Sequence, residues 1–91
     1  MGANFTDKKL PIQKLELIAN DIRQDIIKML ELAGSGHSAG PLGLADIFTA
    51  LYFDIMKHDP ENPDWQDRDI ILLSNGHCVP VQYATMANAG Y

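Results

Sequence analysis

Two short stretches of the chain combine residue types that can do chemistry. Ser35-Gly36-His37-Ser38-Ala39-Gly40-Pro41-Leu42-Gly43 carries three glycines and delivers His37 just ahead of a predicted helix. Glycine lets the backbone approach a ligand closely, and imidazole is the side chain best suited to moving a proton near neutral pH. Leu72-Leu73-Ser74-Asn75-Gly76-His77-Cys78-Val79-Pro80 reads as a strand end, a tight turn and a helix start. In open α/β sheets ligands bind beyond the carboxyl ends of the strands, and N–H groups at a helix start favour an anion such as phosphate. His77 stands where a diphosphate oxygen could be met. Both stretches also have a plain structural reading, as a helix-to-helix connection with a locally bonded His37 and as a turn with a solvent-facing His77. No G-x-x-x-x-G-K-S/T and no G-x-G-x-x-G occurs, so neither a P-loop nor the standard dinucleotide fingerprint is present.

The other candidates are weaker. His37, His58, His77 and Cys78 are all metal-ligand types, but no C-x₂-C or H-x₃₋₅-H pair exists, and the neighbours His77 and Cys78 diverge at a helix start; no metal site is expected. Cys78 reads as a small buried filler and, as the one cysteine, cannot form an internal disulfide, which points to a reducing, cytoplasmic setting. His58 reads as a surface histidine in an acidic turn, and Asp67 and Asp69 around Arg68 as turn capping and local ion pairing.

The elements that must position these residues follow from composition and periodicity. The 91 residues, 46% hydrophobic and 21% charged, exclude disordered and low-complexity classes and allow one small domain. A formal net charge of −5 opposes attraction to nucleic acid or anionic lipid, and the longest apolar run has four residues, far short of the roughly 20 that span a bilayer. Met1-Gly2-Ala3-Asn4-Phe5-Thr6 matches the short myristoylation and glycosylation templates, which imply incompatible compartments; residues 1–10 are read as a loose leader. From Pro11 to about Ala33 the residues Leu15, Ile18, Ile22, Ile26, Met29 and Leu30 recur at helical spacing, with Gly34-Ser35-Gly36 as the stop. A loop from Gly36 to Pro41 precedes a second helix from Leu42 to about Met56, whose stripe of Leu44, Ala45, Phe48, Leu51, Tyr52 and Ile55 predicts deep burial. The stretch from Lys57 to Asp69, with Pro60 and Pro63, is a turn-rich connection that Trp65 is expected to pin to the body. Ile70-Ile71-Leu72-Leu73 predicts a strand covered on both faces, and Pro80 opens a helix that stops at Gly90. The order is α, α, β, α.

One strand is not a sheet. Its buried backbone groups would be unpaired, at about 1–3 kcal/mol each. Residues 11–91 are therefore expected to be the opening piece of a larger α/β layer, completed by further sequence or a partner chain, and partly molten alone.

From about Ile18 to Tyr91 the chain resembles the N-terminal part of transketolases, which depend on thiamine diphosphate. The residues that carry this are Asp21-Ile22-Arg23, Gly34-Ser35-Gly36-His37 leading to Pro41-Leu42-Gly43-Leu44-Ala45-Asp46, and His58-Asp59-Pro60-Glu61-Asn62-Pro63 before Trp65. Asp67-Arg68-Asp69 then leads into Leu73-Ser74-Asn75-Gly76-His77, followed by Tyr83 and Ala89-Gly90-Tyr91. Deoxyxylulose-phosphate synthase, a related thiamine diphosphate enzyme, is less similar around the second histidine, and the Ala-rich passage after His77 is similar to transketolases split into two subunits. Ser38 stands where the family often has proline, and Cys78 where it usually has glycine or alanine.

The resemblance implies a parallel-sheet, diphosphate-binding domain and transfer of a two-carbon ketol unit between sugar phosphates, as in the pentose phosphate pathway. It implies that His37 contacts substrate and assists proton movement, that His77 touches the cofactor, and that Gly76 permits close backbone approach. The Gly-Asp-Gly segment and asparagine that hold the Mg2+ in the family are absent from this sequence, so the metal ligands are expected outside it and activity only in a completed homo- or hetero-oligomeric assembly. The alternative from a different class is a non-catalytic remnant or interaction module of the same fold.

Overall fold

A computed structural model of the chain describes residues 10–91. The leader, save Leu10, and the two short terminal patterns lie outside the described residues.

The first helix, α1 (Ile12–Ala33), opens at Pro11, whose extended backbone feeds the first turn and whose carbonyl accepts Lys14 and Leu15 N–H at 3.0 and 3.1 Å. Ala19, Ile22 and Ile26 share the face turned inward, and both isoleucines are fully buried. Each contributes roughly 1.5–3 kcal/mol by leaving water. The helix ends at Gly34, which takes the left-handed conformation (φ 73°) and returns its N–H to Leu30 O at 2.9 Å.

The second helix, α2 (Ala39–Ala50), starts three residues earlier than its apolar pattern predicts. Pro41 sits inside its first turn, where a missing N–H costs no intrahelical bond, and the first such bond is Leu42 N–H to Ser38 O at 3.0 Å. The helix runs on into a π-helical turn, Leu51–Ile55, closed by Met56 N–H on Leu51 O at 2.7 Å. Phe48, Tyr52 and Phe53 are buried, but Ile47 and Ile55 are exposed, so α2 has one covered face rather than the deep burial expected. Arg23 and Asp46 form a 2.8 Å ion pair between α1 and α2.

The third helix, α3 (Val79–Ala89), follows a 3₁₀ turn (Gly76–Cys78), carries Pro80 in its first turn, and stops at left-handed Gly90 as expected. Val81, Ala84 and Ala89 complete the core against α1 and α2. Two hydroxyls inside this apolar layer are satisfied by their own helices: Thr49 donates to Ala45 O at 2.7 Å and Thr85 to Val81 O at 2.6 Å.

The expected strand does not form: no strand occurs among the described residues, so the α-α-β-α order reduces to three helices. Ile71 and Leu73 pack on the core, while Ile70 and Leu72 are 66% and 92% exposed. That alternation is the period of a strand, but the pattern is covered on one face rather than two. No backbone hydrogen bond among the described residues involves residues 70–73. A strand is held by its ladder partner, and here the other long segments are helical.

The connection before it is anchored differently from the expectation. Trp65 is only half-buried, and the buried anchor is His58, which is 2% exposed rather than on the surface. Its Nε2 donates to Tyr52 O, and its Nδ1 meets the Tyr91 hydroxyl at 2.8 Å. The carbonyls of a last helical turn lack backbone partners, and the imidazole supplies one. Asp69 closes the connection, its carboxylate accepting Lys57 N–H at 2.8 Å and its own N–H donating to Lys57 O at 2.7 Å.

Candidate functional site

The two histidine loops meet. The α1–α2 loop carries His37 and the 3₁₀ turn before α3 carries His77, and their ring centroids lie 5.3 Å apart with the planes at 64°. Both side chains are exposed. Neither ring hydrogen-bonds to another described residue, so the local bonding expected of His37 in its plain reading is not seen, whereas His77 does face solvent from its turn, with the His37 ring beside it.

Glycines set this approach. Gly36 has φ 125°, a conformation that side chains rarely adopt, and a Cβ there would stand 2.5 Å from Leu30 Cδ2. The loop thus folds back onto the last turn of α1. At Gly40 a Cβ would stand 2.5 Å from Cys78 Sγ, so only glycine lets the start of α2 seat against the 3₁₀ turn. Cys78 is buried, as a small filler should be, and it is the contact that ties one histidine loop to the other. Ser38, at the start of α2, makes no side-chain cap.

Gly76 differs from both, since a Cβ there would meet nothing within 4 Å. The space beside it is open, next to two imidazoles. Three backbone donors around it are engaged: Gly76 N–H on Ser74 O (3.1 Å), Cys78 N–H on Asn75 O (2.8 Å) and Val79 N–H on Gly76 O. Pro80 has none to give. Two imidazole donors beside an open glycine fit the diphosphate of a cofactor. For a metal ion on that diphosphate the fit is poor, because no group of three or more His, Cys, Asp or Glu side chains suited to a metal occurs among the described residues.

His58, the third histidine, stays apart from this pair and belongs to the Tyr52–Tyr91 cluster, whose rings pack edge-on and stacked at centroid distances of 5.3 and 5.8 Å. A cleft of about 220 Å³ lies beside that cluster, lined by Tyr52, His58, Arg68, Ile71, Met86 and Tyr91 among others, and includes neither His37 nor His77. Burial raises the phenol pKa values of Tyr52 and Tyr91 above the ordinary tyrosine range. Sequence reasoning missed this cluster. The one available signal was the aromatic Tyr52 six residues before His58.

Residues 14–91 match the family model described as transketolase, thiamine diphosphate binding domain. The chain belongs to this family. It is 43% identical over 74 residues to transketolase 1 of Escherichia coli strain K12, covering 81% of this chain and 11% of that protein. It is 44% identical over 73 residues to a 6-deoxy-6-sulfo-D-fructose transketolase subunit of Clostridium sp. strain MSTE9, covering 80% of this chain and 26% of the subunit. The transketolase of Buchnera aphidicola shows 43% identity over 74 residues, 11% of its length. The chain thus spans between about a tenth and a quarter of these relatives.

Proposed function

We propose that this chain is the N-terminal histidine-bearing part of a transketolase that moves a two-carbon ketol unit between sugar phosphates, and that it works only when further sequence or a partner subunit completes it. What supports the reading is the 5.3 Å convergence of His37 and His77 in a chain of the thiamine diphosphate-binding family. The cofactor, when bound, supplies the electron sink for breaking and making the carbon–carbon bond. This chain's residues do the rest of what falls to it. His77 donates a ring N–H to a diphosphate oxygen, and the open side of Gly76 leaves room for that group. His37, one ring away, takes a proton from a sugar hydroxyl and returns it, a task suited to an imidazole, whose ring nitrogen can both accept and give up a proton. The Mg2+ ligands belong to the completing sequence, and the assembly belongs to the cytoplasm.

A chimera tests this, in which the matched residues of this chain replace their counterparts in the Escherichia coli transketolase 1. It should transfer ketol units. His77→Ala in the chimera should weaken thiamine diphosphate binding by about ten- to a hundredfold, the worth of one hydrogen bond to a charged group. His37→Ala should lower kcat while leaving cofactor affinity within about twofold. Equal cofactor affinity in the His77 variant and its parent would sink the assignment.

A further inference from the structure

We propose that His58 is a register clamp: its Nε2–H holds the end of α2 in the π turn, and without that donor the same residues wind on as α-helix. A helical backbone bonds by default four residues back, and a π turn, which bonds five back, is rare and occurs mostly as a single insertion. In the α register Met56 N–H would meet Tyr52 O; it meets Leu51 O instead, at 2.7 Å. A second π bond would send Lys57 N–H to that same Tyr52 O, but this donor goes to the Asp69 carboxylate at 2.8 Å. The acceptor that either continuation would use is held by a side chain, His58 Nε2. The turn itself, Leu-Tyr-Phe-Asp-Ile, contains neither proline nor glycine, so its own residues do not force the departure from α.

The clamp is firmly seated. His58 is 2% exposed, its ring lies edge-on to Tyr52 and stacked on Tyr91, and its second nitrogen meets the Tyr91 hydroxyl at 2.8 Å. Asp69 works beside it, engaging both the N–H and the carbonyl of Lys57 and so keeping that residue out of the helix. Tyr52, Met56 and His58 all line the cleft beside Tyr91, so the register of this one turn shapes a wall of that cleft. The cluster stands apart from the His37–His77 pair, and the inference does not depend on the transketolase reading.

Hydrogen-bond scalar couplings, read by NMR on the isotope-labelled 91-residue chain, identify the carbonyl that each N–H meets. The wild type should couple Met56 N–H to the Leu51 carbonyl. His58→Leu, which keeps the bulk and removes the donor, should fold and move that coupling to the Tyr52 carbonyl. His58→Gln, whose amide nitrogen stands as many bonds from Cβ as Nε2 does, should keep the coupling on Leu51. Tyr91→Phe should keep it there too, since the Nε2 bond stays in place. Met56 still coupled to Leu51 in the His58→Leu variant, a move to Tyr52 in either of the other two variants, or no Leu51 coupling in the wild type overturns the proposal. A His58→Leu chain that does not fold overturns it as well, because the α register gives Tyr52 O a backbone donor in place of the one removed.

Discussion

At the scale of single residues, His58 shows how one buried polar group is made tolerable. A carbonyl only accepts, so the Nε2 atom facing Tyr52 O carries the hydrogen, and in the neutral ring Nδ1 accepts from the Tyr91 hydroxyl. Removing the imidazole strips partners from a buried carbonyl and a phenol together. His58→Ala should destabilise the chain by about 2–3 kcal/mol, read as a shift in the urea midpoint. The tyrosines carry a pH dependence of their own. Desolvation by burial raises both phenols, with the nearby Tyr52 and Asp59 adding to the rise at Tyr91. A phenol raised in the folded state stays protonated where the unfolded chain has begun to ionise, so stability is unaffected below the ordinary tyrosine value of 10.0 and falls as pH climbs through it. Tyr52→Phe should flatten the alkaline part of a stability–pH curve; wild type and variant declining in parallel above pH 10 would contradict this.

At the scale of elements, the packing of α2 on the 3₁₀ turn decides whether the histidine pair exists. Gly40→Ala drives a methyl into Cys78 Sγ and should cost about 1–3 kcal/mol, even though alanine is the better helix former. Adding Cys78→Ala removes the sulfur and should recover most of that loss; simple additivity in the double variant would show that the contact does not set the packing. The same elements show what could be read from residue order. Both ends of α1 and the stop of α3 were legible because proline and glycine mark them and act locally, through a fixed φ or a left-handed cap. The start of α2 was not, because Pro41 reads as a loop residue unless it falls in a first turn, where its missing N–H does no harm. His37 and His77 were each legible as candidates from their glycine-rich surroundings. Their meeting was not, since it depends on a sulfur-to-backbone contact between distant segments. His58 was misread because its burial depends on Tyr52 and Tyr91, long-range partners that an acidic local sequence hides.

At the scale of the whole molecule, the three-helix core is satisfied while large apolar side chains remain on the surface. Buried side-chain nitrogens and oxygens among the described residues all have partners, yet Leu32, Ile70 and Leu72 present apolar surface, and residues 70–73 make no backbone ladder. These are the features of a layer awaiting its neighbour, in a chain that spans a fraction of its relatives. Leu72→Lys should leave the stability of the chain alone within about 0.5 kcal/mol, whereas Ile26→Ala should cost about 2–5 kcal/mol. Amide exchange at residues 70–73 should be fast in the isolated chain and slowed in the chimera, where a neighbouring strand can pair with them. The measurement that reaches furthest is calorimetric titration of thiamine diphosphate with Mg2+ into the isolated chain and into the chimera. Tight uptake by the chimera with none by the chain alone is the predicted result. Equal affinity in both, or no uptake by the chimera, would contradict the reading of this chain as the histidine-bearing part of a larger cofactor site.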